Sequence, residues 1–373
     1  MLYHFLTPYA RESILFNLFN YISFRAAGAA ATAILLAFLI GPAVIGRLKA
    51  AGVGQVVRAE GPATHQSKRG TPTMGGVIVL LCTLVPTLLW APLDNRYVLV
   101  ALVATVWMGA IGFVDDYLKI VQGKSRGLVA RHKLVGQVTF GIVLGSYLVW
   151  RPLTDVLPST ATTVPFFKYV VVVFAPVAYV AFVTFVLTGT SNAVNLTDGL
   201  DGLAIGLSVI AAGAFAVVAY VVGRVDTSNY LFIYYLRGSG ELTVFLASLM
   251  GAGLGFLWFN AHPAQVFMGD TGSLALGGAF GTVAILLHAE FLLLVVGGVF
   301  VAEALSVIIQ TSVFKWNRHR RGREYAEQHR VFRMAPLHHH FEKIGWPESK
   351  VVMRLYIVGL LCALFALSSL KIR

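Results

Sequence analysis

Long apolar stretches recur along the whole chain, and most are about 20 residues long, enough to cross roughly 30 Å of hydrocarbon as a helix. A membrane-spanning segment must satisfy its own backbone hydrogen bonds, which leaves helices or a closed barrel. The stretches show no strict alternation of apolar and polar positions, so helices are predicted. The pattern predicts an all-α polytopic membrane protein with ten transmembrane helices, at 24–46, 73–91, 97–114, 134–150, 168–188, 202–222, 242–260, 272–288, 291–314 and 351–370.

Composition supports this prediction. Of the 373 residues, 57% are hydrophobic and only 12% are charged, and the mean hydropathy is +0.75. These values lie outside the range of soluble globular domains. The two cysteines, Cys82 and Cys362, both lie in apolar stretches and form neither a disulfide framework nor a metal-ligand spacing.

The basic residues predict the orientation. The segments after the first, third and ninth spans hold 19 of the 29 lysines and arginines, and the ten-span count puts all three on one side. The positive-inside rule makes that side cytoplasmic, so both termini are predicted to be periplasmic. The net charge of +12 suits an anionic leaflet or a polyanionic substrate. Nucleic acid is the weaker interpretation, because no separate basic domain is present.

Five polar clusters, far apart in the sequence, fall on the same predicted face, and the outward loops have nothing comparable. This asymmetry predicts an active site at the cytoplasmic surface of the membrane. The whole chain, 1–373, is expected to form one integral membrane domain with cytoplasmic active-site loops at 47–72, 115–133, 189–201, 261–271 and 315–350.

Asp115 and Asp116 end the third predicted span. They could form ordinary helical ion pairs with Lys119. The C-terminal end of a helix disfavours anions, however, and adjacent carboxylates repel each other unless they share a cation. Mg²⁺ is a natural candidate, because it prefers carboxylate oxygens and commonly bridges to phosphates.

Asp270 begins the eighth span in the stretch "GDTGS" and could simply cap a helix. The same stretch places free backbone N–H groups at a positive helix end, which suits an anion. Asn192, Asn195, Asp198 and Asp201 recur every three residues and would share one side of a helix. They could be contacts between helices, but four polar groups at a membrane edge are more than such contacts usually need.

Each remaining candidate for a functional role also has an ordinary structural explanation. The histidines 338–340 suggest zinc, but adjacent imidazoles aim poorly at one point, so phosphate binding or acid–base work is favoured. Phe267 could stack on a nucleobase or face the core. The other candidates, any of which could be an ordinary positive-inside residue or a contact between helices, are Lys68, Lys124, Lys133, Asn260 and Gln310.

Five motifs resemble those of the phospho-N-acetylmuramoyl-pentapeptide transferases of peptidoglycan synthesis. They are "SKRGTPTMGG", "GFVDDYLK", "NAVNLTDGLDGLA", "FMGDTGSLALG" and "PLHHHFE". They occur in order over nearly the whole chain. The paired aspartates and "DGLDGLA" are shared with the wider superfamily of polyprenyl-phosphate N-acetylhexosamine-1-phosphate transferases. "PLHHHFE" and "SKRGTPTMGG" are the more specific.

The resemblance implies a reaction in which UDP-N-acetylmuramoyl-pentapeptide and undecaprenyl phosphate give lipid I and UMP, with Mg²⁺ as cofactor. It also implies a homodimer in the inner membrane. Asp270 and Asp116 would be the metal ligands, Asp115 the base, and His338 a further catalytic residue, with His340 also near the diphosphate. The implied substrate-binding residues are Lys68, Thr73, Lys124, Lys133, Asn195, Asp198, Asp201, Asn260, Phe267, Gln310, His339 and His340.

Three alternatives stay open. A sister transferase would move N-acetylglucosamine-1-phosphate to the same lipid, and the choice of UDP-sugar would distinguish it. A transporter would place acidic residues near the bilayer midplane, whereas Asp115, Asp116 and Asp270 are predicted at one edge. The chemistry could also run in two steps, with an aspartate attacking first to give a phospho-enzyme. Direct attack is favoured, because the lipid phosphate is already anionic.

Overall fold

The computed structural model describes residues 1–52, 70–121, 127–167 and 169–371, and most of the regular structure in them is α-helical. The α-helices are, in chain order, α1 (Leu2–Leu6), α2 (Ile14–Asn17), α3 (Ile22–Ala50), α4 (Gly76–Trp90), α5 (Arg96–Val121), α6 (Ala130–Trp150), α7 (Pro176–Thr197), α8 (Leu203–Val222), α9 (Val225–Leu231), α10 (Leu242–Asn260), α11 (Gly269–Leu286), α12 (Glu290–Val296), α13 (Gly298–Arg321), α14 (Arg323–Gln328), α15 (Leu337–Lys343) and α16 (Glu348–Ser368). Short 3-10 helices lie at Thr7–Tyr9, Leu18–Asn20 and Ser239–Glu241.

Each of the ten predicted spans contains a helix. Within the described ranges, eight helices are long and apolar enough to cross a membrane: α3, α5, α6, α7, α8, α10, α13 and α16. The prediction of a helical, multi-pass membrane protein is therefore confirmed. The helix of the second span, α4, has only 15 residues.

Helix α11 is the central element of the bundle. Every residue from Thr271 to Leu286 is buried, and the helix packs against α4, α5 and α7. Because these residues face protein on all sides, glycine, serine and threonine are tolerated there in place of large apolar side chains.

Glycines let the backbones of α4 and α5 approach the start of α11. A Cβ atom on Gly112 of α5 would lie 2.1 Å from the carbonyl oxygen of Asp270. A Cβ atom on Gly76, the first residue of α4, would lie 2.1 Å from the backbone nitrogen of Gly272. Small residues permit this kind of close helix crossing in membranes. The crossing at Gly112 brings the C-terminal end of α5 to the N-terminal end of α11.

The fifth span starts later than the pattern predicts. Residues 171–173 form strand β2 (Val171–Val173), which pairs in antiparallel register with β1 (Ala161–Thr163), and α7 begins only at Pro176. Consecutive valines favour an extended backbone, and the residue before a proline is biased away from the helical region. The hairpin is the one strand pair in the described residues, and the pattern of apolar positions alone does not separate it from the helix.

Other boundaries also shift. The ninth span is divided into α12 and α13 around Gly297, and α7 continues to Thr197, so the predicted loop 189–201 is mostly helical. Asn192 and Asn195 therefore lie on α7. Helix α5 likewise continues past Asp115 and Asp116, which places both carboxylates on a helix and not in a loop.

We expect Gly112→Ala to lower the thermal unfolding midpoint of the detergent-purified protein. The added methyl group would meet the backbone of α11, which cannot rotate away, and overpacking of this kind typically costs about 1–3 kcal/mol. The matched control is Gly189→Ala on α7, where nothing lies within 4 Å of an added Cβ. Its midpoint should stay constant or rise, because alanine is the better helix former. Equal midpoints for the two variants would contradict the close crossing.

Candidate active site

Three carboxylates meet where α5 and α11 cross. Asp115 and Asp116 come from α5, and Asp270 is the second residue of α11. One carboxylate oxygen from each lies within 4.8 Å of the other two. Asp115 and Asp116 are each only 2% exposed. Three negative groups this close repel one another strongly unless positive charge compensates them.

Two lysines supply compensating charge. Lys119, one turn further along α5, places its Nζ 2.6 Å from Asp115 Oδ2 and 3.1 Å from Asp270 Oδ2. Lys133, on α6, places its Nζ 2.5 Å from the same Asp270 oxygen and 3.4 Å from Asp115 Oδ2. Both ammonium groups thus bridge Asp115 and Asp270. Within these five side chains, one negative charge remains uncompensated.

Asp116 is bound differently. Its Oδ2 accepts hydrogen bonds from the backbone N–H of Thr271, at 2.9 Å, and from the Thr271 hydroxyl, at 2.7 Å. Its Oδ1 accepts from the backbone N–H of Asp270 at 3.2 Å. These are donors of the first turn of α11, which have no partner inside that helix. Asp116 therefore caps α11 from another helix and fixes the position of Asp270.

Asp115 is held by the segment before α6. The backbone N–H of Leu128 donates to Asp115 Oδ1 at 2.6 Å. A Cβ on Gly127 would lie 2.6 Å from that same oxygen, so a glycine is needed for the segment to pass there. The other oxygen of Asp115, Oδ2, faces the ammonium groups of Lys119 and Lys133.

Helix α7 contributes two further predicted residues. Asn195 Nδ2 donates to Asp270 Oδ1 and to Ser273 Oγ, both at 2.8 Å. Asp198, which ends α7, accepts a hydrogen bond from the Gly269 backbone. Burial, with the neighbouring carboxylates of Asp270 and Asp116, raises the pKa of Asp198 to about 8.

The segment before α4 runs beside the loop before α11. Phe267 N–H donates to the Pro72 carbonyl at 2.8 Å, and Gly75 N–H donates to the Phe267 carbonyl at 2.8 Å. Thr73 lies between these contacts, with its hydroxyl 3.0 Å from where a Cβ of Gly269 would stand. Gly269 has a φ of +75°, a conformation that favours glycine. Thr73 and Phe267 are thus brought beside the carboxylates.

Asp201 belongs to a second polar group. Its Oδ2 lies 3.1 Å from His262 Nδ1 and accepts from the Ala264 N–H at 3.1 Å. The Asp201 N–H donates to Glu348 Oε1 at 2.8 Å. Asp201, His262 and Glu348 form a second set of side chains with metal-ligating atoms close together. This group ties the turn after α7 to the start of α16.

Two predicted pocket residues bond to backbone groups with both ends of their amides. Asn260 Oδ1 accepts from the Gly202 N–H at 3.1 Å, and its Nδ2 donates to the Val266 carbonyl at 2.8 Å. Gln310 Nε2 donates to the Phe332 carbonyl at 3.2 Å, and its Oε1 accepts from the Phe332 N–H at 2.9 Å. Both side chains brace neighbouring segments.

The three histidines have separate environments. His338 is fully buried, and its Nδ1 lies 3.2 Å from Glu303 Oε2. His339 Nδ1 lies 2.8 Å from Glu342 Oε2, and His340 Nδ1 accepts from the Arg333 N–H at 3.2 Å. The rings therefore do not converge as zinc ligands would.

Lys68 and Lys124 lie outside the described residues. Sequence reasoning missed two side chains that the structure places in these contacts, Lys119 and Glu303. The spacing of Lys119 from the two aspartates suggested only a surface ion pair. Glu303 carried a clear signal, because an acidic residue inside an apolar span marks a functional candidate.

The carboxylate cluster has the ligand chemistry of a magnesium site. Its donors are oxygens from Asp115, Asp116 and Asp270, which hard divalent cations prefer. Asp116 Oδ2 is already engaged by α11, so its Oδ1 is the more available oxygen. Asp270 is the least buried of the three, with 16% of its side chain exposed, and is the most accessible ligand.

Comparison with known proteins gives concordant matches. The family model for glycosyl transferase family 4 matches residues 98–288, about half of the chain. The first signature of the phospho-N-acetylmuramoyl-pentapeptide-transferases matches residues 68–80. Curated proteins of that name align over the full length of both chains, with 61% identity in Gemmatimonas aurantiaca, 51% in Desulforapulum autotrophicum and 49% in Geobacter sp. strain M21.

The capping role of Asp116 predicts a difference between two variants that both remove its charge. Asp116→Asn keeps a side-chain oxygen that can accept from the Thr271 N–H, whereas Asp116→Ala does not. Loss of a helix cap costs about 0.5–2 kcal/mol. We expect Asp116→Ala to unfold at a lower temperature than Asp116→Asn. Equal midpoints would show that Asp116 contributes only its charge.

Proposed function

Since the chain belongs to the phospho-N-acetylmuramoyl-pentapeptide transferase family, we propose that it moves phospho-N-acetylmuramoyl-pentapeptide from a UDP carrier to undecaprenyl phosphate. The products would be lipid I and UMP, in the first membrane step of peptidoglycan synthesis. The observation that carries this proposal is the cluster of Asp115, Asp116 and Asp270 with Lys119 and Lys133 at one end of the bundle. Such a cluster can place a metal ion and ammonium groups against a diphosphate.

We propose Mg²⁺ as the cofactor, with Asp270 and Asp116 Oδ1 as the ligands and Asp115 close by. When bound, the ion would neutralise the developing charge on the transferred phosphoryl group. Lys119 and Lys133 would then contact phosphate oxygens, because both ammonium groups already reach the carboxylate oxygens at this position. Lysine binds phosphate as a point charge, so either group can follow the substrate as it shifts.

In the proposed reaction, an oxygen of undecaprenyl phosphate attacks the phosphorus that carries the sugar. The new P–O bond forms as the bond to the UMP oxygen breaks, so UMP leaves with that electron pair. Asp115 is the proposed base, taking any proton that remains on the lipid phosphate. Because this group has a second pKa near 6, it is mostly ionised at neutral pH and needs no phospho-enzyme intermediate.

The substrate pocket is proposed along the elements that surround the cluster. Thr73, Asn195, Asp198 and Phe267 lie on these elements, and the half-buried ring of Phe267 is placed to stack on a base. We assign the remaining pocket contacts to Lys68, Lys124, Asp201, His339 and His340. Asn260 and Gln310 would shape the pocket through the backbone segments that they brace.

We further propose ten membrane spans with both termini in the periplasm, which places the carboxylate cluster at the cytoplasmic face of the inner membrane. The basic segments at 47–72, 115–133 and 315–350 support this orientation. A homodimer is proposed from the family resemblance. Labelling of single cysteines from either side of the membrane would check the topology. Sedimentation of the protein in detergent would check the homodimer.

The function is tested by UMP release from purified protein with undecaprenyl phosphate and Mg²⁺. We expect release with UDP-N-acetylmuramoyl-pentapeptide, none with UDP-N-acetylglucosamine, and loss of activity on chelation. Release only with UDP-N-acetylglucosamine would assign the chain to the sister branch. No release with either sugar, from folded protein, would reject the proposal.

The metal assignment is tested without turnover. Mn²⁺, a paramagnetic substitute for Mg²⁺, can be titrated into the protein and followed by electron paramagnetic resonance. We expect Asp270→Asn to weaken Mn²⁺ binding at least about tenfold, because a charged ligand is lost. The matched control is Asp201→Asn, in the second group of metal-ligating side chains, which should leave binding unchanged. Weakening by Asp201→Asn alone would move the ion to that second group.

A further inference from the structure

Glu303 is a carboxylate buried inside the apolar helix α13. It has no exposed surface and lies one turn and a half from the start of the helix. An unpaired buried carboxylate is strongly unfavourable, and even a paired one often contributes nothing to stability. The buried carboxylate of Glu303 is therefore better explained by a role in positioning a neighbouring group than by a contribution to the stability of the fold.

The contacts of the Glu303 carboxylate come from His338 of α15. The backbone N–H of His338 lies 3.2 Å from Glu303 Oε1 and 3.3 Å from Oε2, so one donor is shared between both oxygens. The His338 Nδ1 lies 3.2 Å from Glu303 Oε2. The carboxylate of Glu303 thus holds the backbone of His338, and the imidazole lies beside the same carboxylate.

The opposite edge of the His338 ring rests on Gly199. A Cβ atom on Gly199 would lie 2.2 Å from His338 Nε2 and 2.9 Å from Cε1, so the ring occupies the space that any side chain would need. Gly199 lies in the turn between α7 and α8, directly after Asp198 and two residues before Asp201. The imidazole is therefore a spacer between Glu303 and this turn.

The far end of the same turn is held from elsewhere. Asp201 N–H donates to Glu348, Gly202 N–H donates to Asn260, and the Tyr356 hydroxyl donates to the Gly202 carbonyl at 2.6 Å. These contacts do not reach Gly199. At the end of the turn next to Asp198, the Gly269 backbone donates to the Asp198 carboxylate, the Gly199 N–H donates to the Thr197 carbonyl at 2.9 Å, and the His338 ring packs against Gly199.

We propose that Glu303 is a positioning residue that acts through His338 to hold Asp198 in the substrate pocket, an inference that rests on the proposed role of Asp198 in binding the UDP-sugar. The same geometry assigns His338 a positioning role, in place of the catalytic role implied by the family resemblance. Its ring is enclosed between Glu303 and Gly199, and among the described contacts it makes none with Asp115, Asp116 or Asp270.

The test compares KM and kcat in three variants. Glu303→Ala removes the support of His338, whereas Glu303→Gln keeps an oxygen that can accept from the His338 N–H. The matched control is Glu290→Ala, which removes a carboxylate that is also buried, 2% exposed, but is bonded to Thr162 near the β1–β2 hairpin. A purely structural effect of losing a buried carboxylate would appear in both alanine variants.

We expect Glu303→Ala to raise KM for the UDP-sugar about tenfold or more while kcat changes less than about threefold, because uniform binding is lost and the carboxylate cluster is untouched. Glu303→Gln should recover most of the affinity. Glu290→Ala should leave KM unchanged. A fall in kcat at constant KM, or the same KM rise in Glu290→Ala, would overturn the proposal.

Gly199→Ala disturbs the same His338 ring from the side of the turn. It replaces Glu303→Ala in the test if that variant does not fold. Its methyl group would displace the His338 ring, so KM should rise with Glu303 intact. Unchanged KM in Gly199→Ala would overturn the proposal.

Hydrogen exchange separates this inference from the proposed function. In wild-type protein without substrate, amides of residues 197–202 should exchange more slowly than in Glu303→Ala or Gly199→Ala. Faster exchange in the variants with no UMP release from the wild type would retain the positioning role and reject the transferase. Identical exchange with normal release would reject the positioning role alone.

Discussion

The mutual repulsion of Asp115, Asp116 and Asp270 is the constraint on which the arrangement of this protein depends. Three carboxylates, two of them buried and one partly buried, have oxygens within 4.8 Å of one another, where charges are weakly screened. Lys119 and Lys133 offset part of that repulsion, and the first turn of α11 offsets more by donating its free N–H groups to Asp116. A divalent cation would complete the compensation, and the phosphates of a substrate would then meet a surface that is no longer negative.

The same constraint explains the close crossing of the central helices. Asp116 can cap α11 only if α5 passes within hydrogen-bonding distance of its first turn, and Gly112 makes that approach possible. Gly76 does the same for α4, whose preceding segment carries Thr73. Stability and chemistry therefore share one set of contacts: the glycines that let the helices pack also bring the charged groups together.

Polar support extends outward from this cluster in two directions. Asn195 and Asp198 connect it to α7, and the turn that follows is held by Asn260, Glu348 and Tyr356 on one side and by the Glu303–His338 pair on the other. Buried polar groups of this kind are favourable only when each has a partner, so their arrangement is specific. Such a network can hold a substrate pocket rigid at the edge of a bundle whose remaining contacts are largely apolar.

The helical, multi-pass fold class and the positions of most helices follow from the sequence alone, because the length and hydrophobicity of each segment are local properties of the chain. The five motifs also indicate the chemistry proposed for the site. The sequence also led to Asp115, Asp116 and Asp270 as a group. Only the tertiary structure decided that Asp116 caps α11, that Lys119 bridges two carboxylates, that Asn260 and Gln310 brace backbone segments, and that His338 rests between Glu303 and Gly199. These roles depend on which helices cross and how closely. Gln310 and Phe332 are 22 residues apart in the chain, and Asp116 and Thr271 are 155 apart, and such separations leave no periodic signal in the sequence.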